Sequence, residues 1–412
     1  MASRKDSKGR KLHSGESQRS NGSYMYRYIN TRTGKREVIY SKDLTDLRKR
    51  EKEIDRDIDD SILVGPATKE VTLNYLWSIY LKTKVLDEGT KANYKGLWKA
   101  HIENTLGDLP ISYVRTSTIK MLYSQMDADN YTENSIKSIH TLLNPLFELA
   151  VDDYYIRKNP ARNITISDYG RKTKKKVALQ ADMQERLLEF MEQSNMFRKH
   201  SPMITIMLET SLRCGELIGL TYNDLDLQKK ELRVTHQLTY RNYDDGNGCI
   251  FRAKTPKTEA GVRIIPLTNR ACEAFKKIKL QNFQLGRFST FEVDGYSDFI
   301  FVTKHGRPMM PNGVNNILYN IIKHYNKYET TLAAKENREP VLLDKFSSHI
   351  MRHTGCTNMA RSRVNIKAAQ YIMGHAKSEV TMDIYNHLNN MFDAKIEIDK
   401  LNSFEKNGVN VV

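Results

Sequence analysis

The spacing of apolar residues changes along this chain, and those changes limit its folds more than any other feature. Tyr24, Tyr26 and Tyr28 alternate with Met25, Arg27 and Ile29, the period of a strand with one distinct face. A turn at 31–35 separates them from Arg36, Val38 and Tyr40, which read as the returning strand. Leu44, Leu47, Ile54 and Ile58 then predict a charged helix that buries little and leads to the next domain. From about Val71 to Asn163 the apolar spacing becomes three and four. Leu73, Trp77 and Tyr80 mark a first helix, Tyr94, Leu97 and Trp98 a second. Ile119, Leu122 and Tyr123 mark a third, capped by Thr116 or Thr118. Ile136, Ile139, Leu142, Leu143, Leu146 and Leu149 mark a fourth, with Pro145 as a kink. Both tryptophans belong in that core.

Beyond Gly170 the run Arg171, Lys172, Lys174, Lys175 and Lys176 reads either as a solvated linker or as a strap along phosphates. From Leu179 onward helices mix with short strands. Strands are expected at 231–235 and 263–266, flanking a loop, and at 299–302. Helices are expected near 311–327, 347–361, 367–373 and 378–388, followed by an apolar helical tail. The expected fold class is multidomain α+β: a small N-terminal β-sheet module, a helical domain, and a mainly α domain with a small β-sheet.

A formal net charge of +16 over 412 residues favours a polyanionic partner, with nucleic acid first. The polar, basic stretch up to Ser20 reads as a flexible arm and not as a signal peptide, and no long apolar run suggests a membrane span. Four widely spaced cysteines suit free thiols in a reducing compartment, hence a cytoplasmic protein. The strand pair carrying Tyr24, Tyr26, Arg27, Tyr28 and Arg36 suggests a β-ribbon that reads DNA, or else a structural hairpin.

Several residues of the last domain suit attack on a phosphodiester. Arg213, in Leu212-Arg213-Cys214-Gly215-Glu216-Leu217, and Arg352, in His349-Ile350-Met351-Arg352-His353-Thr354, are permanently charged forks for the two non-bridging oxygens. Tyr385 can form a covalent link to phosphorus. His349 can accept its proton or bond the phosphate, and His375, after Gly374, can donate to a non-bridging oxygen. The departing sugar oxygen needs a proton, which Lys257 on a turn could supply; Lys254 competes for that role. Glu216 reads as structural, holding a catalytic group through a hydrogen bond. His349, His353 and Cys356 share a helical face, but the HExxH pattern is missing, so no metal is expected. No phosphate-binding Gly-rich loop is seen either.

Taken in order, these motifs resemble the tyrosine recombinases of the phage lambda integrase class. Arg213 to Leu220 is similar to their first arginine box. His349 to Thr354 is similar to the His-x-x-Arg box. Met373-Gly374-His375 and Thr381 to Tyr385 are similar to the last box, and Lys257 with Arg263 to Leu267 to the lysine hairpin. The layout is similar to that of conjugative-transposon integrases.

The resemblance implies an arm-type DNA-binding module with its linking helix over 1–65, a helical core-binding domain over 66–168 and a catalytic domain over 169–388. A tail at 389–412 would pack on a neighbouring protomer. It implies integration and excision of a mobile element through a 3′-phosphotyrosyl intermediate and a Holliday junction. It also implies no need for a cofactor, ATP or metal, in accord with the lack of a Gly-rich loop. The partners it implies are double-stranded DNA at core and arm sites, a homotetramer on DNA, an accessory excision factor and a host DNA-bending protein. Two other readings remain: type IB topoisomerase-like relaxation, and a DNA-binding protein without catalysis.

Overall fold

The structure is a computed structural model that describes residues 4–30, 34–59, 71–173, 177–243, 246, 248–256, 258–386 and 398. The chain divides into two compact units, Met1–Lys174 and Lys175–Val412.

The first unit opens with three antiparallel strands in the order β1 (Glu16–Gln18), β2 (Tyr24–Ile29) and β3 (Arg36–Ser41). Helix α1 (Leu44–Asp59) contributes Leu44, Leu47 and Ile54 to the same core cluster as the tyrosines of β2. This corrects three expectations. Tyr24, Tyr26 and Tyr28 are buried in that core and so do not form a groove-facing surface. Their hydroxyls donate to Asp6 at 3.0 Å, Asp55 at 2.8 Å and Glu37 at 2.6 Å, which satisfies the polar end of each ring. Alternation instead turns Arg27 and Ile29 outward on the opposite face, and Arg36 is exposed as well. Helix α1 is thus part of the module, because its sparse apolar residues have the tyrosine stripe to cover. The described part of the arm before Ser20 is ordered too. Asp6 accepts the amides of Lys8 and Arg10, Leu12 is buried, and Glu16 is enclosed with Arg48 bonded to it at 2.9 and 3.1 Å.

The helical part follows with α2 (Leu73–Thr83), α3 (Glu88–His101), α4 (Thr116–Ala128) and α5 (Glu133–Asp152). Trp77 and Trp98 stack with ring centroids 4.5 Å apart inside its core, and the Trp98 indole donates to Asn74 at 2.9 Å. The third helix begins at Thr116 after Arg115, and the Thr118 hydroxyl accepts the Arg115 amide. Pro145 sits inside α5, which continues to Asp152. The start of the basic run is tied to this unit: the Arg171 amide donates to Tyr131 O, and Arg171 O accepts the Glu133 amide. Lys172 is exposed, while Lys174, Lys175 and Lys176 lie outside the described residues.

The second unit is mainly helical. Helix α6 (Ala181–Gln193) precedes α7 (Ser201–Thr210), which is buried on nearly every side. An amphipathic pattern fades in a helix that is apolar all round, and enclosure replaces it. The short α8 (Cys214–Gly219) leads to a three-stranded sheet in the order β4 (Leu225–Asp226), β5 (Glu231–Val234), β8 (Arg263–Pro266). Between β5 and β8, where a loop was expected, lies a hairpin of β6 (Gln237–Asn242) and β7 (Cys249–Lys254). The expected strand at 299–302 is reduced to isolated bridges, Thr221 to Phe299 and Val302 to Pro308.

Helix α9 (Asn269–Gln284) was not foreseen; its buried face comprises Ala271, Cys272, Ala274, Phe275 and Ile278. Helix α10 (Pro311–Lys335) runs past its expected end because the buried Glu329 is neutralised by Arg338 at 2.5 Å. Helices α11 (Ser348–Arg361), α12 (Ile366–Met373) and α13 (Glu379–Asn386) close the described chain. The tail expected after Asn389 lies outside the described residues, apart from residue 398. Among the described residues no helix is long and apolar enough to cross a membrane.

Candidate active site

The site is organised around one buried carboxylate. Arg213 precedes α8, and its backbone amide donates to Glu216 Oε2 at 2.9 Å while its Nη1 donates to Oε1 at 2.7 Å. Arg263, enclosed at the start of β8, places Nη2 3.0 Å from Oε2 and Nη1 3.2 Å from Oε1 of the same residue. Arg352, on α11, brings Nη1 within 3.9 Å of Oε2. Three guanidiniums thus meet a single acid. Buried charge of one sign in such excess is costly unless an anion completes it.

The backbone holds the forks in place. Arg352 Nη1 donates to Ser211 O at 2.7 Å, and Nη2 donates to Met373 O. Ser211 adopts a left-handed conformation at the end of α7, φ 52°, which a non-glycine residue tolerates only when its surroundings impose it. Burial, then repulsion from Arg213, pushes the Arg352 guanidinium down to about 9. Arg213 is the most open of the three, with its side chain 35% exposed, and its Nη2 donates to Gly374 O at 3.0 Å.

Gly374 ends α12 with φ 60°. A Cβ there would lie 2.9 Å from Arg263 Nη1 and 3.0 Å from Ala260 O, so the motif glycine is required by space as well as by dihedral. His375 follows, its Nδ1 2.9 Å from Thr381 Oγ1. Burial, with Arg352 and Arg213 nearby, lowers the imidazole to about 4, so it is neutral at pH 7. A cleft of about 500 Å³ is lined by Arg213, Glu216, Thr258, Gly261, His375 and Lys377.

The structure therefore brings Arg213, Arg352 and His375 together. Tyr385 stands apart from them. Its ring packs against Cys356, Met373 and Ile384, and its hydroxyl donates to Val364 O at 2.9 Å. Burial raises the phenol to about 12. His349 is exposed in the first turn of α11, three residues before Arg352. Lys257 lies outside the described residues, although its neighbours Pro256 and Thr258 both line the cleft. Lys254 ends β7 with its ammonium 5.7 Å from the Tyr243 ring.

Glu216 has the bracing position that its sequence suggested. Arg263 had entered only as part of a motif, and its enclosure has a faint signal in the strand period, which puts it on the face of Ile265. Among the described residues the one acid and histidine group spaced for a metal is His13, Glu16 and Glu51. Arg48 already occupies both oxygens of Glu16 there.

Residues 178–391 match the phage integrase family, and residues 1–58 match the DNA-binding domain of the Tn916 integrase. The chain belongs to the phage integrase family, the tyrosine recombinases, which are DNA strand-transferring enzymes. Within it the chain has the layout of a conjugative-transposon integrase, a site-specific recombinase of integration and excision. It is 32% identical to the transposase from transposon Tn1545 of Streptococcus agalactiae, covering 97% of this chain and 96% of that protein. The Tn916 transposase of Enterococcus faecalis is likewise 32% identical over the same shares. Among solved structures, the Tn1549 transposon integrase in complex with a circular intermediate DNA matches with a TM-score of 0.70 and 31% identity, over 81% of this chain and 100% of that one. A lambda integrase tetramer bound to a Holliday junction shares the fold, with a TM-score of 0.51 at 17% identity over 90% and 94% of the two chains.

Proposed function

We propose that Tyr385 is the nucleophile and that the Arg213–Arg352 pair receives the scissile phosphate. The phenol oxygen attacks phosphorus, the bond to the sugar 5′ oxygen breaks, and the DNA 3′ end stays on the protein as a phosphotyrosine. His349 takes the phenolic proton, His375 bonds a non-bridging oxygen, and Lys257 protonates the leaving alcohol, with Lys254 as its competitor. Attack by a 5′ hydroxyl from the partner duplex reverses the step and rejoins strands through a Holliday junction. The observation that carries this reading is the excess of guanidinium over carboxylate on the cleft floor. Two guanidiniums meet there, and the developing charge of the transition state matches what the cluster lacks. Val364 must release the Tyr385 hydroxyl before attack, which makes the described arrangement a resting state.

The same reading divides the chain at the expected boundaries: an arm-type module over 1–65, a core-binding domain over 66–168, a catalytic domain over 169–388 and a protomer-linking tail over 389–412. Arm DNA then meets the outward sheet face with Arg27 and Arg36, and the buried tyrosines hold that face in shape. Lys172 and its basic neighbours track phosphates. The working assembly is a homotetramer on DNA in the cytoplasm, associated with the nucleoid, directed by an excision factor and a host bending protein.

Covalent trapping on a nicked suicide duplex from the element ends tests the chemistry. Wild type should accumulate a protein–DNA adduct and Tyr385→Phe none, with binding kept. An adduct formed by Tyr385→Phe would remove Tyr385 from the role. Deleting residues 1–60 should spare that adduct and abolish binding to a second class of site; an unchanged footprint would reject the arm module.

A further inference from the structure

We propose that Arg263 is a positioning residue for strand cleavage: it locks the two walls of the cleft to one floor. The proposal rests on the reading of the cleft as the phosphate site. Arg263 is the most enclosed of the three guanidiniums, its side chain fully out of solvent, so it cannot touch DNA itself. Its side-chain hydrogen bonds go to groups on or beside the cleft. Nε donates to Ile372 O at 2.7 Å, in the last turn of α12 just before Gly374 and His375. Nη1 donates to Gly261 O at 2.9 Å, at the end of the turn that carries Thr258. Nη1 and Nη2 both reach Glu216, which in turn holds Arg213 by its amide and its fork.

One planar group therefore fixes the spacing between the wall of Pro256, Thr258 and Gly261, the 374–377 wall and the Glu216 floor. A fork is needed because the acceptors lie in different directions around one plane; an ammonium cannot span them. Its charge also matters to His375, which it helps keep neutral.

The experiment measures single-turnover formation of the covalent adduct at saturating DNA in the full chain. Wild type, Arg263→Lys, Arg263→Met and Tyr385→Phe run in parallel, with DNA affinity and thermal unfolding measured for each. Arg263→Lys keeps the charge and loses the fork. It should keep its affinity and its cooperative transition while cleaving about 100-fold more slowly, the cost of a misplaced reacting group. In Arg263→Met the acidic limb of the pH–rate profile should move to higher pH as His375 regains basicity, and in Arg263→Lys it should stay.

Cleavage by Arg263→Lys at the wild-type rate would overturn the proposal. So would loss of the cooperative transition in both variants, since Arg263 would then serve folding alone. Failure of wild type to form any adduct would instead sink the proposed function.

Discussion

The hydroxyl of Tyr385 donates to the carbonyl of Val364 at 2.9 Å, so the proposed nucleophile is held by the backbone between α11 and α12. That bond stabilises the protein only while the phenol rests there. Tyr385→Phe should lower the unfolding free energy of the DNA-free protein by about 1 kcal/mol, the net worth of one such bond. DNA affinity should stay equal or tighten by up to about five-fold, because release no longer costs that bond. Chemical denaturation and filter binding give the two numbers, and weaker binding would argue against a resting state.

Arg352→Lys keeps a positive charge and loses the planar fork that serves Ser211 O and Met373 O. Cleavage should fall by about 100-fold or more, as when one preorganised donor to a transition-state oxygen is lost. Equilibrium binding should change little, since the proposed complex would contact many other phosphates. Near-normal cleavage would show that charge alone suffices at this position.

Gly374→Ala should cost about 1–2 kcal/mol for the left-handed backbone alone. It should also slow cleavage, because the new Cβ presses on Arg263 and shifts the carbonyl that Arg213 holds. Differential scanning calorimetry with single-turnover trapping checks both effects. A variant as stable and as fast as wild type would contradict the packing around the glycine.

His375 titrates at about 4 in the fold against an ordinary 6.5, so the fold favours its neutral form. Its contribution to stability is complete above 6.5 and is lost as pH falls from 6.5 through about 4. The thermal midpoint of wild type should drop over that window more than that of His375→Gln. Parallel curves for the two proteins would place the imidazole in a less restrictive setting.

Glu51 is buried beside Glu16, and one of its oxygens has no partner. Burial and the neighbouring acid hold its carboxyl above the usual range. The unfolded chain then releases this proton first as pH rises above 4.5, and stability declines from there towards neutrality. Glu51→Gln, which offers a donor without a charge, should raise the melting temperature at pH 8, with the gain vanishing near pH 4.5. A loss at pH 8 would mean that the carboxylate is needed ionised.

Much of the site was legible because its chemistry is tied to rare residue types in a fixed order. Arg213, Arg352 and His375 come together as their motifs suggested. Glu216 was legible as a brace, although no local pattern shows that it serves three arginines. The N-terminal tyrosines were misread for a physical reason: strand alternation reveals two faces, but not which one another element covers. Only α1, with few apolar residues of its own, made the tyrosine face the inside. Helix α9 was missed although Ala271, Ala274, Phe275 and Ile278 keep helical spacing on its buried face.

By itself the sequence determined the succession of a small sheet, a helical bundle and a mixed domain, because side-chain periodicity is a local property of the backbone. It also determined the reaction class, because a phenol, paired guanidiniums and imidazoles have few joint uses. Tertiary structure alone decided that Arg263 is sealed under Glu216, that Ser211 turns its carbonyl to Arg352, and that Tyr385 rests on Val364. Each of these depends on groups far apart in the chain meeting in a low-dielectric interior. There the cost of an unpaired charge or donor selects a partner that no local spacing encodes.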